Sequence, residues 1–254
     1  MHDQNKLIYY MLLKGIGRHA AEYLAKNYPD CIVLAGVRKT QDFQSIEKEH
    51  ISNLIPIYTD VTSHQSIVKS IQTVQTLMKT KNLPFIALVN NAAIANWKIL
   101  EYFDVSEAKS LFDTNFFGVL DITQQFLPLL RASKGRIIMM SSISGFSAIP
   151  LASIYSASKW AMEALSDGLR RETLPMGISV SVIQPGYIKT DMLTDIRSQI
   201  THEKDVTDSQ HLYTHIVNEK KINAIIEQIE QGSSPEVTTK VIEHALFNRQ
   251  PRTR

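Results

Sequence analysis

Glycine is scarce in this chain: 10 residues of 254, where an average composition carries about 7 %. Few loops can therefore use φ > 0 or bring a ligand close to bare backbone, and each glycine that remains is informative. Cysteine is scarcer still, with Cys31 alone. One thiol excludes an intrachain disulfide framework and a cysteine-rich metal site. Its setting, Cys31-Ile-Val-Leu-Ala35, reads as a buried core position. Neither charge sign is in excess, since 27 Lys and Arg against 25 Asp and Glu leave a net +2. That balance argues against a nucleic acid or an acidic macromolecule as partner. Long apolar runs are missing too. Leu7 to Leu13 lies between Lys6 and Lys14 and is too short to cross a membrane, and no small-residue cleavage site follows it. The expectation is a soluble, cytoplasmic protein with no membrane span.

What is present is the material of one large α/β domain covering 1–254. Hydrophobic residues make up 44 % and charged residues 20 %, enough apolar side chain for a substantial core in a chain of this length. Short apolar runs fall at Leu7–Tyr10, Cys31–Ala35, Ile55–Thr59, Phe85–Val89, Arg136–Met140 and Ile178–Ile183, and each reads as a buried strand. Between them lie amphipathic stretches at Arg18–Tyr28, Ser66–Met78, Ser106–Leu130 and Ser158–Thr173. Strands that alternate with helices in this way predict right-handed crossovers and a doubly wound parallel sheet, a Rossmann fold. Residues at about 191–233 break the alternation. They are polar and helical, and read as an insertion that caps a cleft at the strand C-termini, where such sheets bind ligands. After Ile183 there is no seventh apolar run.

Three groups of residues carry chemistry. Gly15-Ile16-Gly17 stands between the first strand and the first helix, where a phosphate needs close approach and free helix N–H groups. No acidic residue follows the second strand to bind ribose hydroxyls. Lys14 and Arg38 stand nearby instead, which suits a 2′-phosphate and hence NADP, although both can equally be solvated charges and NAD is possible. Asp60 can accept from an adenine amino group or simply cap a turn. Finally, Ser141 to Lys159 runs from small hydroxyl residues at a strand end into a helix that carries Tyr155 and Lys159 at i, i+4. That spacing sets phenol and ammonium on one face, where the cation would lower the phenol pKa and make it a general acid or base. Read alone, the pair is also an ordinary surface Tyr and Lys.

Taken in order, Gly15-Ile16-Gly17, Asp60-Val61, Asn90-Asn91-Ala92, Asn115, Ser142, Tyr155-x-x-x-Lys159 and Pro185-Gly186-Tyr-Ile188-Lys-Thr190 resemble the short-chain dehydrogenase/reductase family from Lys6 to about Leu246. The resemblance implies an oxidoreductase that moves a hydride between NADP(H) and an alcohol or ketone. It implies Tyr155 as proton donor or acceptor, Lys159 as the group that tunes it and holds the nicotinamide ribose, and Ser142 as the hydrogen-bonding partner of the substrate oxygen. Asn115 would place a relay water, and Asn90, Asn91 and Ala92 would line the adenosine side. Pro185, Gly186, Ile188 and Thr190 would hold the nicotinamide amide. It implies a homodimer or homotetramer, with the helix carrying Met162, Leu165 and Leu169 at the interface. Three departures stand out. Tyr10 and Met11 occupy the places where members have Thr-Gly, Ala93 replaces a glycine, and the last strand is missing. These leave open a catalytically weak member kept as a binding or dimerisation protein. Sugar-nucleotide epimerase chemistry, which also uses Tyr and Lys, normally needs a longer C-terminal domain.

Other candidates weigh less. His211 and His215 share a helical spacing but lack a third ligand, so no metal is expected. Trp97, Tyr102 and Phe103 follow the fourth strand and can either wall an apolar substrate pocket or pack under the inserted segment.

Overall fold

Six short strands form one parallel sheet in the order β3-β2-β1-β4-β5-β6. They are β1 (Ile8–Leu12), β2 (Ile32–Val37), β3 (Leu54–Tyr58), β4 (Phe85–Asn90), β5 (Arg136–Met140) and β6 (Ser179–Ile183). The computed structural model describes the backbone of residues 8–12, 15–210 and 213–254, and the side chains of 15–200 and 213–254. The strand order reverses between β1 and β4, which opens a crevice at the strand C-termini. The sheet is the predicted doubly wound α/β arrangement.

Helices cover both faces because the strands are apolar on both. On one face α1 (Ile16–Asn27) packs with α9 (Pro235–Phe247), with α2 (Thr40–Glu47) beside them, through Ala20, Ala21, Leu24 and Ala25 against Ile242, Ala245 and Leu246, and through Ile46. The small alanines let α1 approach closely. On the other face lie α3 (His64–Lys81), α5 (Gly118–Ser133) and α6 (Ser153–Thr173), joined through Ile67, Val74, Phe85, Ile122, Phe126, Met162 and Leu169. Met162 and Leu169 are therefore core residues of the monomer. Cys31 is buried among the same apolar neighbours as α1, as expected. Local signals set several boundaries. The Ser63 hydroxyl accepts from Ser66 N–H at 3.3 Å at the start of α3, and Asn82 closes it in the left-handed region.

Four details differ from the sequence expectation. β1 runs on to Leu12, so Tyr10 and Met11 are strand residues. Met11 pairs with Ala35 on one side and Val89 on the other. The helix carrying Tyr155 begins at Ser153, ahead of the expected Ser158, because the chain turns at Leu151 rather than continuing as loop. The stretch after Val105 is not one helix but α4 (Val105–Phe112), a π-helical turn (Asp113–Phe117) and α5. Lastly, the C-terminal residues return to cover the edge of β6. Val182 N–H donates to the Thr253 carbonyl at 2.9 Å, and the Ser181 hydroxyl donates to the Arg252 carbonyl at 2.7 Å.

The segment after β6 folds as α7 (Asp191–Gln210) and α8 (Glu219–Glu230). Leu193, Ile196, Ile200, Ile222 and Ile229 from it join Trp97, Ile99, Leu151 and Ala152 in a third apolar cluster beside the strand ends. Tyr102 packs against this cluster, edge-on to Tyr213. His215 stacks on Tyr213, while His211 lies outside the described residues. Among the described residues no group of His, Cys, Asp and Glu is placed to hold a metal, and no helix is long and apolar enough to cross a membrane.

Candidate active site

Ser142 follows the C-terminus of β5, and hydrogen bonding beyond the strands fixes it there. Ser141 N–H donates to the Ile183 carbonyl at 2.8 Å and Ile143 N–H to the Pro185 carbonyl at 3.0 Å. The Ser142 hydroxyl accepts from Ser144 N–H at 3.1 Å and lies beside the phenol of Tyr155. Tyr155 sits in the first turn of α6, opposite the end of β5. One helical turn on, Lys159 is buried, and its Nζ donates to the Met140 carbonyl at 2.8 Å. The ammonium lies 5.7 Å from the centre of the Tyr155 ring.

The net electrostatics differ from the sequence expectation. Desolvation by burial raises the Tyr155 pKa, and the neighbouring Ser142 hydroxyl only partly offsets this. The cation is itself destabilised. Desolvation lowers Lys159 to about 8, against an upward pull from Glu163. Glu163 is held by Gln184 Nε2, which donates to Oε1 at 2.9 Å, and by Arg254 Nε, which donates to Oε2 at 3.2 Å. Sequence reasoning passed over Glu163, although its i, i+4 spacing from Lys159 was legible.

Asn115 owes its position to the π turn, which rotates its side chain inward. Its Oδ1 accepts from Ile94 N–H at 2.9 Å, and its Nδ2 donates to the Ile94 carbonyl at 2.9 Å and to the Ser158 hydroxyl at 3.1 Å. The carboxamide thus ties the loop after β4 to α6, and both of its N–H bonds are engaged.

Three connected spaces follow the strand ends. An apolar cavity of about 490 Å³ is lined by Ser142 and Tyr155 together with Trp97, Ile149, Leu151, Leu193, Ile196, Ile216 and Ile225. A chamber of about 100 Å³ shares Ser142, Tyr155 and Gly186 with it and adds Gly15, Ile16, Asn91, Lys159, Pro185, Ile188 and Thr190. A polar groove of about 510 Å³ continues past Gly15 to Arg38, Asp60, Val61 and Ala92. The fold therefore brings most of the predicted residues into one cleft. Asn90, Asn115 and Gly17 are the exceptions among the described residues and line none of the three spaces. Asn90 is buried inside the sheet layer, where its Nδ2 donates to Thr123 Oγ1 at 2.9 Å and contacts Met139 Sδ at 3.1 Å. Asp60 Oδ1 accepts from Thr62 N–H at 2.9 Å and from its hydroxyl at 2.7 Å, closing a turn on the rim of the groove. Arg38 is exposed on that rim and forms no ion pair among the described residues. Lys14 lies outside the described residues. Trp97 lines the apolar cavity, whereas Tyr102 and Phe103 do not.

A dinucleotide fits these residues. Gly15 has φ +52°, and a Cβ there would meet Thr190 Cγ2 at 3.0 Å. Gly15 also gives α1 no side-chain cap, which leaves first-turn N–H groups open towards the groove. At Gly186 a Cβ would meet nothing nearer than Ile143 at 4.0 Å, so the backbone is bare at the chamber wall. The Ser141 hydroxyl, also in the chamber lining, is buried without a hydrogen-bond partner.

Comparison with known proteins agrees with this geometry. Residues 12–201 match the family described as short chain dehydrogenase. The NADPH-dependent 3-dehydrocapnine reductase of Ornithobacterium rhinotracheale is 30 % identical over 247 residues, covering 94 % of this chain and 83 % of that protein. The 17-beta-hydroxysteroid dehydrogenase type 6 of Bos taurus is 32 % identical over 233 residues, covering 87 % and 71 %. Among solved structures, the KRED1-Pglu enzyme superposes with a TM-score of 0.81 at 23 % identity, over 98 % of this chain and 99 % of that one, a likeness of fold. The chain belongs to the short chain dehydrogenase family and is an oxidoreductase of that type.

Proposed function

We propose that this oxidoreductase interconverts an apolar ketone and its alcohol with NADP(H), using Tyr155 as the acid and base. The observation that carries the reading is that Ser142 and Tyr155 together line both the apolar cavity and the adjoining chamber that holds Lys159. NADP(H) supplies or accepts the hydride when bound. Gly15, the first turn of α1 and the groove residues would hold its phosphates and adenosine, with Arg38 at the 2′-phosphate. Pro185, Gly186, Ile188 and Thr190 would hold the nicotinamide.

In the reducing direction, Ser142 and Tyr155 hydrogen-bond a substrate carbonyl where negative charge develops. The raised phenol pKa keeps Tyr155 protonated at neutral pH, ready to donate. Lys159, still protonated below its pKa of about 8, then stabilises the phenolate that is left. In the oxidising direction the same phenol must first lose its proton, so alkaline pH favours alcohol oxidation. α7 and α8 act as a lid whose apolar side forms the far wall of the substrate cavity. Phe117 and Trp160, which are 55 % and 52 % exposed, give α6 and the π turn an apolar surface on which two copies would associate. Met11 is held in β1 by neighbours on both sides, which weighs against the reading of a broken phosphate turn and a binding-only protein.

Titration with NADPH and NADH, followed by cofactor fluorescence, tests the reading, with ketone reduction followed by NADPH oxidation. Saturable NADPH binding with turnover supports it. Tyr155→Phe should then lower turnover by about 10²–10⁴-fold while leaving NADPH binding in place. Turnover retained in that variant refutes the proton role.

A further inference from the structure

We infer that the substrate is an amphiphile whose acidic group is held by Lys221, an inference that rests on the ketone–alcohol reading above. α8 presents Lys221, Ala224, Ile225 and Gln228 to the apolar cavity. Their i, i+3, i+4, i+7 spacing makes this one face of the helix. Among the described residues, Lys221 is the one member of the cavity lining with a formal charge at neutral pH, and no carboxylate shares that lining. It takes part in none of the ion pairs among the described residues. Its Nζ donates to the His215 carbonyl at 2.5 Å, which tethers the ammonium but neutralises nothing. Two further N–H donors remain for a ligand.

The rest of the cavity sets the shape of that ligand. Ser142 and Tyr155 fix where the reacting oxygen sits, and the walls are Ile149, Leu151, Leu193, Ile196 and Ile216. A small polar acid would leave those walls unfilled. A wholly apolar compound would make no use of Lys221, which is exposed at the mouth of the cavity with donors to spare. A molecule with an oxygen function, an aliphatic body and a carboxylate, sulfonate or comparable acid satisfies all three parts of the lining.

Octanoate and 1-octanol serve as the probe pair, since they share a chain and differ in charge. Binding is followed by tryptophan fluorescence in a Trp160→Phe background, where Trp97 in the cavity wall is the reporter. The intact cavity should prefer octanoate by about two- to fivefold, the size of an ion pair at a solvent-exposed ammonium. Lys221→Met should erase that preference and Lys221→Arg should keep it. Equal binding of acid and alcohol before substitution, or a preference unchanged by Lys221→Met, overturns the inference. Reduction of a neutral ketone by NADPH, measured in parallel, tests the catalytic reading separately: loss of all turnover would sink that reading while the binding ratio still decides the role of Lys221.

Discussion

Replacing Gly145 with alanine would place a methyl group 2.6 Å from the Ser141 hydroxyl oxygen and 3.1–3.2 Å from the Glu163 side chain. Gly145 ends the 3₁₀ turn Ile143–Gly145 that supports Ser142. Its φ is not in the left-handed region, so backbone conformation does not oppose alanine. The loss of unfolded-state freedom would alone favour the variant by about 0.4–1 kcal/mol. The contact decides the sign. A Cβ at 2.6 Å forces Ser141 or the turn to move, and overpacking of this kind costs about 1–3 kcal/mol. The net expectation is a loss of about 1–2 kcal/mol. In a domain of this size that lowers Tm by about 2–4 °C per kcal/mol. Activity should fall further than stability, since Ser142 would move with Ser141, and a misplacement of about 1 Å costs on the order of 10²-fold. Ser141→Ala removes the nearest atom, a buried hydroxyl with no partner, and so should be close to neutral for stability alone and restore most of the stability loss in the double variant. Urea unfolding and NADPH oxidation would be measured on the parent, both single variants and the double. A single Gly145→Ala variant as stable and active as the parent, or a double variant no better than the single, would refute the reasoning.

Gly168→Ala is the matched opposite case. It lies inside α6, and an added methyl group would have nothing within 4 Å of it, so it should stabilise by about 0.5–1 kcal/mol in the same urea assay. Lys159 makes stability depend on pH. Its pKa falls from 10.5 in the unfolded chain to about 8 in the fold. Below pH 8 both states hold the proton and its contribution is flat. Between about pH 8 and 10.5 only the unfolded chain holds it, so unfolding free energy rises with pH, by about 3 kcal/mol in all. Comparison with Lys159→Met, in which this rise disappears, isolates the effect. Phe126→Ala, at the centre of the α5 face against the Phe85 ring at 4.9 Å, should cost about 3–5 kcal/mol by urea or thermal unfolding. Arg38→Ala should weaken NADPH binding and leave NADH binding nearly unchanged; equal loss of both would remove Arg38 from the 2′-phosphate.

The sequence by itself determined the sheet and the family of the chain. Apolar runs of strand length alternating with amphipathic stretches admit few arrangements other than a parallel sheet covered on both faces. Ser142, Tyr155 and Lys159 stood out through the ordered series of motifs that resembles the family, because the i, i+4 spacing alone also fits an ordinary surface pair. Tertiary structure alone decided the rest. Asn90 and Asn91 are neighbours in sequence, yet the first ends β4 buried against Thr123 and the second, just past the strand end, lines the chamber. Tyr155 beside Lys159 read as a phenol with a lowered pKa, but burial, which no spacing encodes, reverses the direction. Lys221 read as one charge on a polar helix. Only the folding of α8 back over the strand ends makes it the single charged group, among the described residues, of an apolar cavity, because that role depends on which residues far away in the chain supply the opposite wall.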